Sequence, residues 1–377
     1  MRKIILAPDS FKGTMSSSKV CQLMSEQITA HFPEAVIVKI PVADGGEGTV
    51  DCFLEAVGGQ KVSVRVKGPF FEEMEAFYGR LADGITAVVE MAAAAGLPLV
   101  ENRKNPALTT TYGVGQLIRH AVEHGCRRII VGIGGSCTND GGCGMAAALG
   151  VRFFDQEHQE FIPVGGTLHQ IASIDSAALL PQLTECRITA MCDVDNPLFG
   201  ENGAACIYGP QKGADAGMVR LLDRNLEILA ERLQTDLHQD VAMLPGAGAA
   251  GGMGAGMVAF LGAQLQQGID TVLDVVNFEQ HLAGTDLVFT GEGKIDGQSL
   301  RGKVVSGVAA RAKACHIPLI AVVGDIGDDI APLYEQGVIA VVSINRVAVP
   351  FEQARFRCET DLSFTMDTIL RLLRLQQ

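Results

Sequence analysis

The carboxylates of this chain fall where they could act on a charged ligand. Asp9 closes the apolar run IILAPD, and Asp44 closes IPVAD with Glu47 close behind. Glu292 and Asp296 follow LVFTG, and Asp325 closes IAVVGD. Strands of a parallel sheet end on one edge, where ligands bind, so these acids should gather there. Gathered carboxylates repel one another unless cations sit among them. Lys12, Lys294, Arg301 and Lys303 occur in the same loops. Magnesium is a further expected partner, because it takes a few carboxylates together with substrate phosphates.

A second pattern is glycine. GIGGSCTNDGG (132–142) follows the apolar run RIIVGI and has five glycines in eleven residues, edged by Ser136, Thr138, Asn139 and Asp140. Such a turn lets a ligand approach the main chain, and a helix start behind it favours anions, phosphate above all. Three more glycine-rich, polar-edged loops follow: CDVDNPLFGENGA (192–204), GPQKGAD (209–215) with Lys212, and PGAGAAGGMG (245–254). In the last, Gly246, Gly248 and Gly251 formally match the dinucleotide fingerprint. That reading needs a good preceding strand and a later acid. Here only VAML precedes, and Asp270 sits in QQGIDT, which reads as a turn. A nicotinamide-dependent dehydrogenase is therefore a rival reading. The P-loop signature GxxxxGK[ST] is absent, as is the protein-kinase motif set.

The elements that must hold these loops alternate. At the front, a strand at 4–9 leads to a helix at about 16–32, and a strand at 36–44 to a helix at about 47–57. At the back, strands at 287–293, 318–325 and 338–344 alternate with helices at about 301–315 and 328–336, and a helix at about 364–375 closes the chain. Short, wholly apolar strands separated by helices predict a parallel sheet covered on both faces. KVSVRVKGP, EAFYGRLAD and GITAVVEMA instead alternate polar and apolar residues and predict antiparallel strands. The fold class is α/β. One domain, Rossmann- or flavodoxin-like and discontinuous, takes 1–60 plus 285–377. An inserted α/β domain with a mixed sheet takes 61–284, with the active site in the cleft between them. A division into N- and C-terminal halves is the rival arrangement.

Composition narrows the function. The formal net charge of −13 argues against nucleic acid and anionic membranes as partners, and any phosphate site must build its own positive potential. Ten scattered cysteines without a CxxC read as reduced core residues of a cytoplasmic protein. His120 and His124 share a helix face, but no Glu or Cys completes a zinc set. The N-terminal apolar run is too short for a signal peptide. The uncharged stretch 244–265 is long enough to span a bilayer, but its glycines and alanines read as a turn feeding a buried helix.

Eight segments, in order and spread over most of the chain, resemble the type I glycerate kinase family. They are APDSFKGTMSS (7–17), PVADGGEGT (41–49), NPALTTTYGVGQLI (105–118), GIGGSCTNDGG, CDVDNPLFG (192–200), GPQKGAD, PGAGAAGGMG and TGEGKIDGQSLRGK (290–303). Cys137 and Cys143 stand where Ala is expected, and EMAAAAG (90–96) lacks the serines of that segment. The resemblance implies two α/β domains and transfer of the ATP γ-phosphoryl to D-glycerate, giving 2-phosphoglycerate in bacterial members.

Residues and resemblance then meet in one set of expectations. Gly134, Gly135, Ser136, Thr138, Asn139, Asp140, Lys212, Gly248 and Gly251 should hold phosphate or nucleotide. Asp9, Ser10, Asp44, Gly45, Asp296, Gln298, Arg301 and Lys303 should bind glycerate, with Lys12 as a catalytic cation. Asp193 is the expected base, because it follows the apolar strand RITAM in a turn of little bulk; Asp44 and Asp195 are alternatives. The metal ligands, the oligomeric state and the division of the loops between ATP and glycerate stay open. A sugar-acid-binding regulator without catalysis is a further alternative.

Overall fold

A computed structural model describes residues 1–43, 45–297 and 303–375. Asp44, Gln298 and Arg301 lie outside the described residues. The chain divides into two compact units. Met1–Asp44, Glu55–Val57 and Gln267–Gln377 form the first, and Gly45–Leu54 with Gly58–Gln266 the second.

The first unit is built on a five-stranded sheet. Val338–Ser343, Leu319–Val323, Leu287–Gly291, Lys3–Pro8 and Val36–Lys39 pair in that order, all parallel. Ile4 pairs with Leu287 and Ala7 with Thr290, so front and back of the chain share one sheet. The three central strands are almost wholly buried, which is why they read as uninterrupted apolar runs. Helices Ser17–His31 and Cys358–Arg374 cover one face, with Val20, Met24, Ile28, Leu362, Met366 and Leu370 in the core. Each such side chain stabilises the fold by roughly 1.5–3 kcal/mol when fully buried. Ser16 caps the first helix by accepting from Lys19 N at 3.2 Å. The last helix begins at Cys358, earlier than the sequence suggested, with Glu359 and Asp361 in its first turn to suit the helix dipole.

The second unit has a six-stranded mixed sheet. Its order is Gln264–Gln266, Arg187–Met191, Arg128–Gly132, Thr86–Glu90, Glu73–Leu81, Gly59–Lys67. The first four are parallel, and the last two are antiparallel additions. The alternating strands thus pair as expected, and Thr86–Glu90 also joins the parallel half. Within the 244–265 stretch, Ala249–Leu261 is mostly buried and helical except for a left-handed kink at Ala250–Gly252. Among the described residues no helix is long and apolar enough to cross a membrane.

Two segments show how side chains assign the boundaries. Gly45–Leu54 is tied to the second sheet by Glu90, which accepts from Val50 N. Asp270 is not in a turn. It lies in the first turn of helix Gly268–Val275, where Arg311 bonds Asp270 at 3.4 Å and Asp274 at 2.8 Å and also pairs with Glu279. That ion cluster fastens the segment within the first unit.

Candidate active site

Parallel pairing puts strand ends on one edge in each unit. In the first unit, the edge carries Asp9 and Ser10 after Lys3–Pro8, Glu292 after Leu287–Gly291, and Asp325 after Leu319–Val323. Asp9 and Glu292 are buried, whereas Lys12 is exposed. The Asp9 carboxylate accepts from Ser10 N at 2.6 Å. Lys294 and Asp296 face each other loosely at 4.0 Å, and Asn345 donates to Asp325 at 3.3 Å. Lys303 is half-buried, at the N-cap of helix Val304–Ala314.

In the second unit the matching edge gathers Glu90, the 132–142 loop and the loop after Met191. Asp193 and Asp195 are both exposed there. Tyr208 donates to the Asn196 side chain at 2.7 Å, and Asn196 donates to Asn202 O at 2.8 Å, which shapes the loop beside them. Burial pushes the Cys192 thiol up to about 11, so this neighbour of Asp193 stays protonated near neutrality.

The glycine loop divides its labour. Gly135 is exposed and Gly134 half-exposed, at the tip. The other three glycines serve packing. A Cβ on Gly132 would stand 2.4 Å from Gly45 O, on Gly141 2.1 Å from Leu229, and on Gly142 3.2 Å from Gly256 Cα. Gly134 N donates to Gly45 O at 3.1 Å, so the 45–48 and 132–135 turns interlock.

The polar residues behind the tip turn inward. Ser136, Thr138, Asn139 and Asp140 are at most 5% exposed, where the sequence suggested side chains facing a ligand. Asp140 accepts from Thr111 N and Thr111 Oγ1, both at 2.8 Å, from Gly142 N at 3.2 Å and from Gly144 N at 3.3 Å. Burial still raises its pKa, against the pull of those donors. Its carboxylate therefore ties the loop to Thr111 and caps the helix start. Lys212 is likewise buried. Its Nζ donates to Ser136 Oγ at 2.8 Å and to Thr138 O at 2.7 Å. Burial lowers its pKa to about 8, with Cys137 and Asp140 holding it up. The ammonium is thus held within the loop by Ser136 and Thr138, next in sequence to the exposed Gly135.

Gly248 and Gly251 also pack rather than open space. A Cβ on Gly248 would meet Pro197 O at 2.2 Å, and on Gly251 Thr138 O at 2.0 Å. These glycines let the 245–254 segment lie against the 192–200 and 136–141 loops. Val241–Leu244 forms no strand ahead of them, so the dinucleotide fingerprint lacks its structural context. His120 and His124 stack with ring centroids 3.9 Å apart, and Tyr78 OH lies 3.2 Å from His120 Nδ1. Among the described residues no three His, Cys, Asp or Glu side chains converge to hold a metal.

Glu90 escaped the sequence reading. It ends the apolar strand Thr86–Glu90, and the rule that singled out Asp9 and Asp193 also picks it out.

An α/β protein with glycine turns and carboxylates on the carboxyl edges of a parallel sheet and of the parallel part of a mixed sheet has an architecture suited to binding phosphorylated ligands at strand ends. Comparison with known proteins narrows the class. The chain belongs to the glycerate kinase family, whose profile matches residues 4–374. It is 47% identical to the glycerate kinase of Bacillus cereus over 97% of both chains. It is 48% identical to the glycerate 2-kinase of Escherichia coli K12, covering 91% of this chain and 90% of that one. A crystal structure from Salmonella typhimurium LT2, of a protein provisionally named glycerate kinase 2, matches with a TM-score of 0.89 and 43% identity. That match covers 100% of this chain and 99% of the other.

Proposed function

We propose that the protein transfers the γ-phosphoryl group of ATP to the 2-hydroxyl of D-glycerate, giving 2-phosphoglycerate and ADP in the cytoplasm. Beside family membership, the observation that carries this reading is the glycine loop with Gly135 exposed at its tip and the buried Lys212 ammonium bonded to Ser136 and Thr138 behind it. A cation held by this loop supplies the local positive potential that an acidic protein otherwise lacks. The name of the Escherichia coli relative supports the choice of hydroxyl.

Phosphoryl transfer needs positioning and charge neutralisation more than covalent chemistry. The loop and Lys212 take the phosphates: Asp140 holds the loop from within, Ser136 receives the Lys212 ammonium, and the buried Thr138 hydroxyl and Asn139 amide, without hydrogen-bond partners among the described residues, orient the ligand. The glycerate oxygen attacks the γ-phosphorus, the bond to the β–γ bridging oxygen breaks, and ADP leaves. The hydroxyl proton passes late to the Asp193 carboxylate, as expected for an alcohol whose pKa lies far above neutrality. Asp9, Ser10, Asp44, Gly45, Asp296, Gln298, Arg301 and Lys303 bind glycerate, and an arginine suits its carboxylate through paired donors. Lys12 offsets the charge that develops in transfer.

Magnesium needs no preformed cage, because it keeps waters and takes one or two carboxylates with phosphate oxygens. The exposed Glu47 and Asp195 are suitable hard donors. Bound with ATP, the ion neutralises phosphate charge.

The test is ADP release with D-glycerate, ATP and Mg²⁺. Turnover should require all three and stop with EDTA. Folded protein that releases no ADP with either glycerate enantiomer would refute the proposal and favour a non-catalytic binder.

A further inference from the structure

Glu90 is a buried carboxylate that the proposed chemistry leaves unused. It is 2% exposed, and its Oε1 accepts from Val50 N at 2.5 Å across forty residues of sequence. Gly48 N donates to the same carboxylate. Both amides belong to the start of helix Thr49–Val57, whose N-cap is Gly48 at φ 89° with no capping side chain of its own. A helix start leaves N–H groups unpaired, and its dipole favours a negative charge there. The second sheet supplies that charge from the end of a strand. Burial raises the Glu90 pKa. The two amides and Lys61 pull it down, and Asp51 pushes it further up.

The turn just ahead of this helix is held on its other sides by close contact. Gly134 packs on Gly46, where a Cβ would stand 2.9 Å from Gly46 Cα, and a Cβ on Gly45 would meet Met191 Cβ at 3.0 Å. Gly134 N bonds Gly45 O. Close packing restricts the turn, and Glu90 adds a directional, charge-assisted anchor at its helical end.

We propose that Glu90 is a positioning residue: its carboxylate fixes the Gly45–Gly48 turn and through that turn sets the affinity for glycerate. The proposal rests on the reading of Asp44 and Gly45 as glycerate contacts. Glu90 itself, buried and facing two amides, does not touch substrate.

The test compares Glu90→Ala and Glu90→Gln with wild type in steady-state kinetics, thermal melting and amide hydrogen exchange over residues 45–52. Glu90→Ala should raise the glycerate KM about 10- to 100-fold, the range for losing hydrogen bonds to a charged group. Glu90→Gln keeps one acceptor oxygen but loses the charge, so its rise should be smaller, roughly several-fold. The ATP KM should rise less than the glycerate KM in both, through the Gly134 N–Gly45 O link alone, and exchange at Gly48 and Val50 should speed up. Should Glu90→Ala fail to fold, Glu90→Gln carries the test. Unchanged exchange and unchanged glycerate KM in folded Glu90→Gln would overturn the proposal, as would an equal rise in both KM values. If wild type phosphorylates no glycerate, the functional reading fails, and exchange at Gly48 and Val50 still decides whether Glu90 anchors the turn.

Discussion

Lys212 donates to Ser136 Oγ at 2.8 Å from a fully buried ammonium, and among the described residues no carboxylate forms an ion pair with it. A buried charge without an ionic partner is costly. The cost is tolerable here because two hydrogen bonds hold the head group and Asp140 acts on it at longer range, and a bound phosphate would add further negative charge.

That arrangement predicts a pH-dependent stability. The Lys212 pKa falls from 10.5 to about 8 on folding. Below about pH 8 both folded and unfolded chains hold the proton, and the folded chain bears the full burial cost. Between about pH 8 and 10.5 only the unfolded chain holds it, so stability rises with pH. Lys212→Met removes the group. Wild type should therefore gain on the variant by up to about 3 kcal/mol between roughly pH 7 and pH 10. Urea denaturation of both proteins measures the gap. A gap independent of pH would show that Lys212 titrates as an ordinary surface lysine.

The same titration should appear in catalysis. If the loop holds the ATP phosphates as proposed, loss of the Lys212 charge weakens their binding, so the ATP KM of wild type should climb above about pH 8. In Lys212→Met it should be raised about ten-fold or more at neutral pH and no longer depend on this titration. An ATP KM that Lys212→Met leaves unchanged would place the nucleotide away from this loop.

Gly251 is predicted to admit no side chain. Its φ is 71°, and a Cβ would meet Thr138 O at 2.0 Å. Gly251→Ala should cost about 3 kcal/mol or more, from overpacking together with left-handed strain. The melting temperature reads this directly. A variant that melts with wild type would mean that the 245–254 segment does not rest on the 136–141 loop.

These positions also show what the sequence could and could not say. The parallel sheet of the first unit was legible because central strands buried on both faces leave no polar alternation. Asp9 and Asp193 could be singled out as candidates because a carboxylate at the end of such a strand is a local signal. The inward turn of Thr138, Asn139, Asp140 and Lys212 was not. Whether a polar side chain faces ligand or core depends on what packs over it, and here that is Gly251 from a segment a hundred residues away. Glycine has the same ambiguity, since Gly135 opens to solvent while Gly132 and Gly248 only make room for neighbouring backbone. Glu90 needed the strand-end rule together with knowledge that Gly48 starts a helix without its own cap.

Asp193 carries the proton in this account. Asp193→Asn should lower kcat by about 10²-fold or more, the range for loss of a general base. ATP binding and the melting temperature should change little, because the side chain is exposed at the sheet edge. If the variant keeps most of its kcat, the base lies elsewhere, with Asp44 or Asp296 next in line.

The central claim is phosphoryl transfer to the 2-hydroxyl of D-glycerate. Its most direct test is the ³¹P NMR spectrum of the product formed from D-glycerate, ATP and Mg²⁺, with proton coupling retained. A phosphomonoester signal split into a doublet by the single proton on C2 should grow as ADP forms. A triplet from the two C3 protons would identify 3-phosphoglycerate and contradict the assignment of the hydroxyl. No new phosphomonoester from the folded protein would contradict the kinase reading itself.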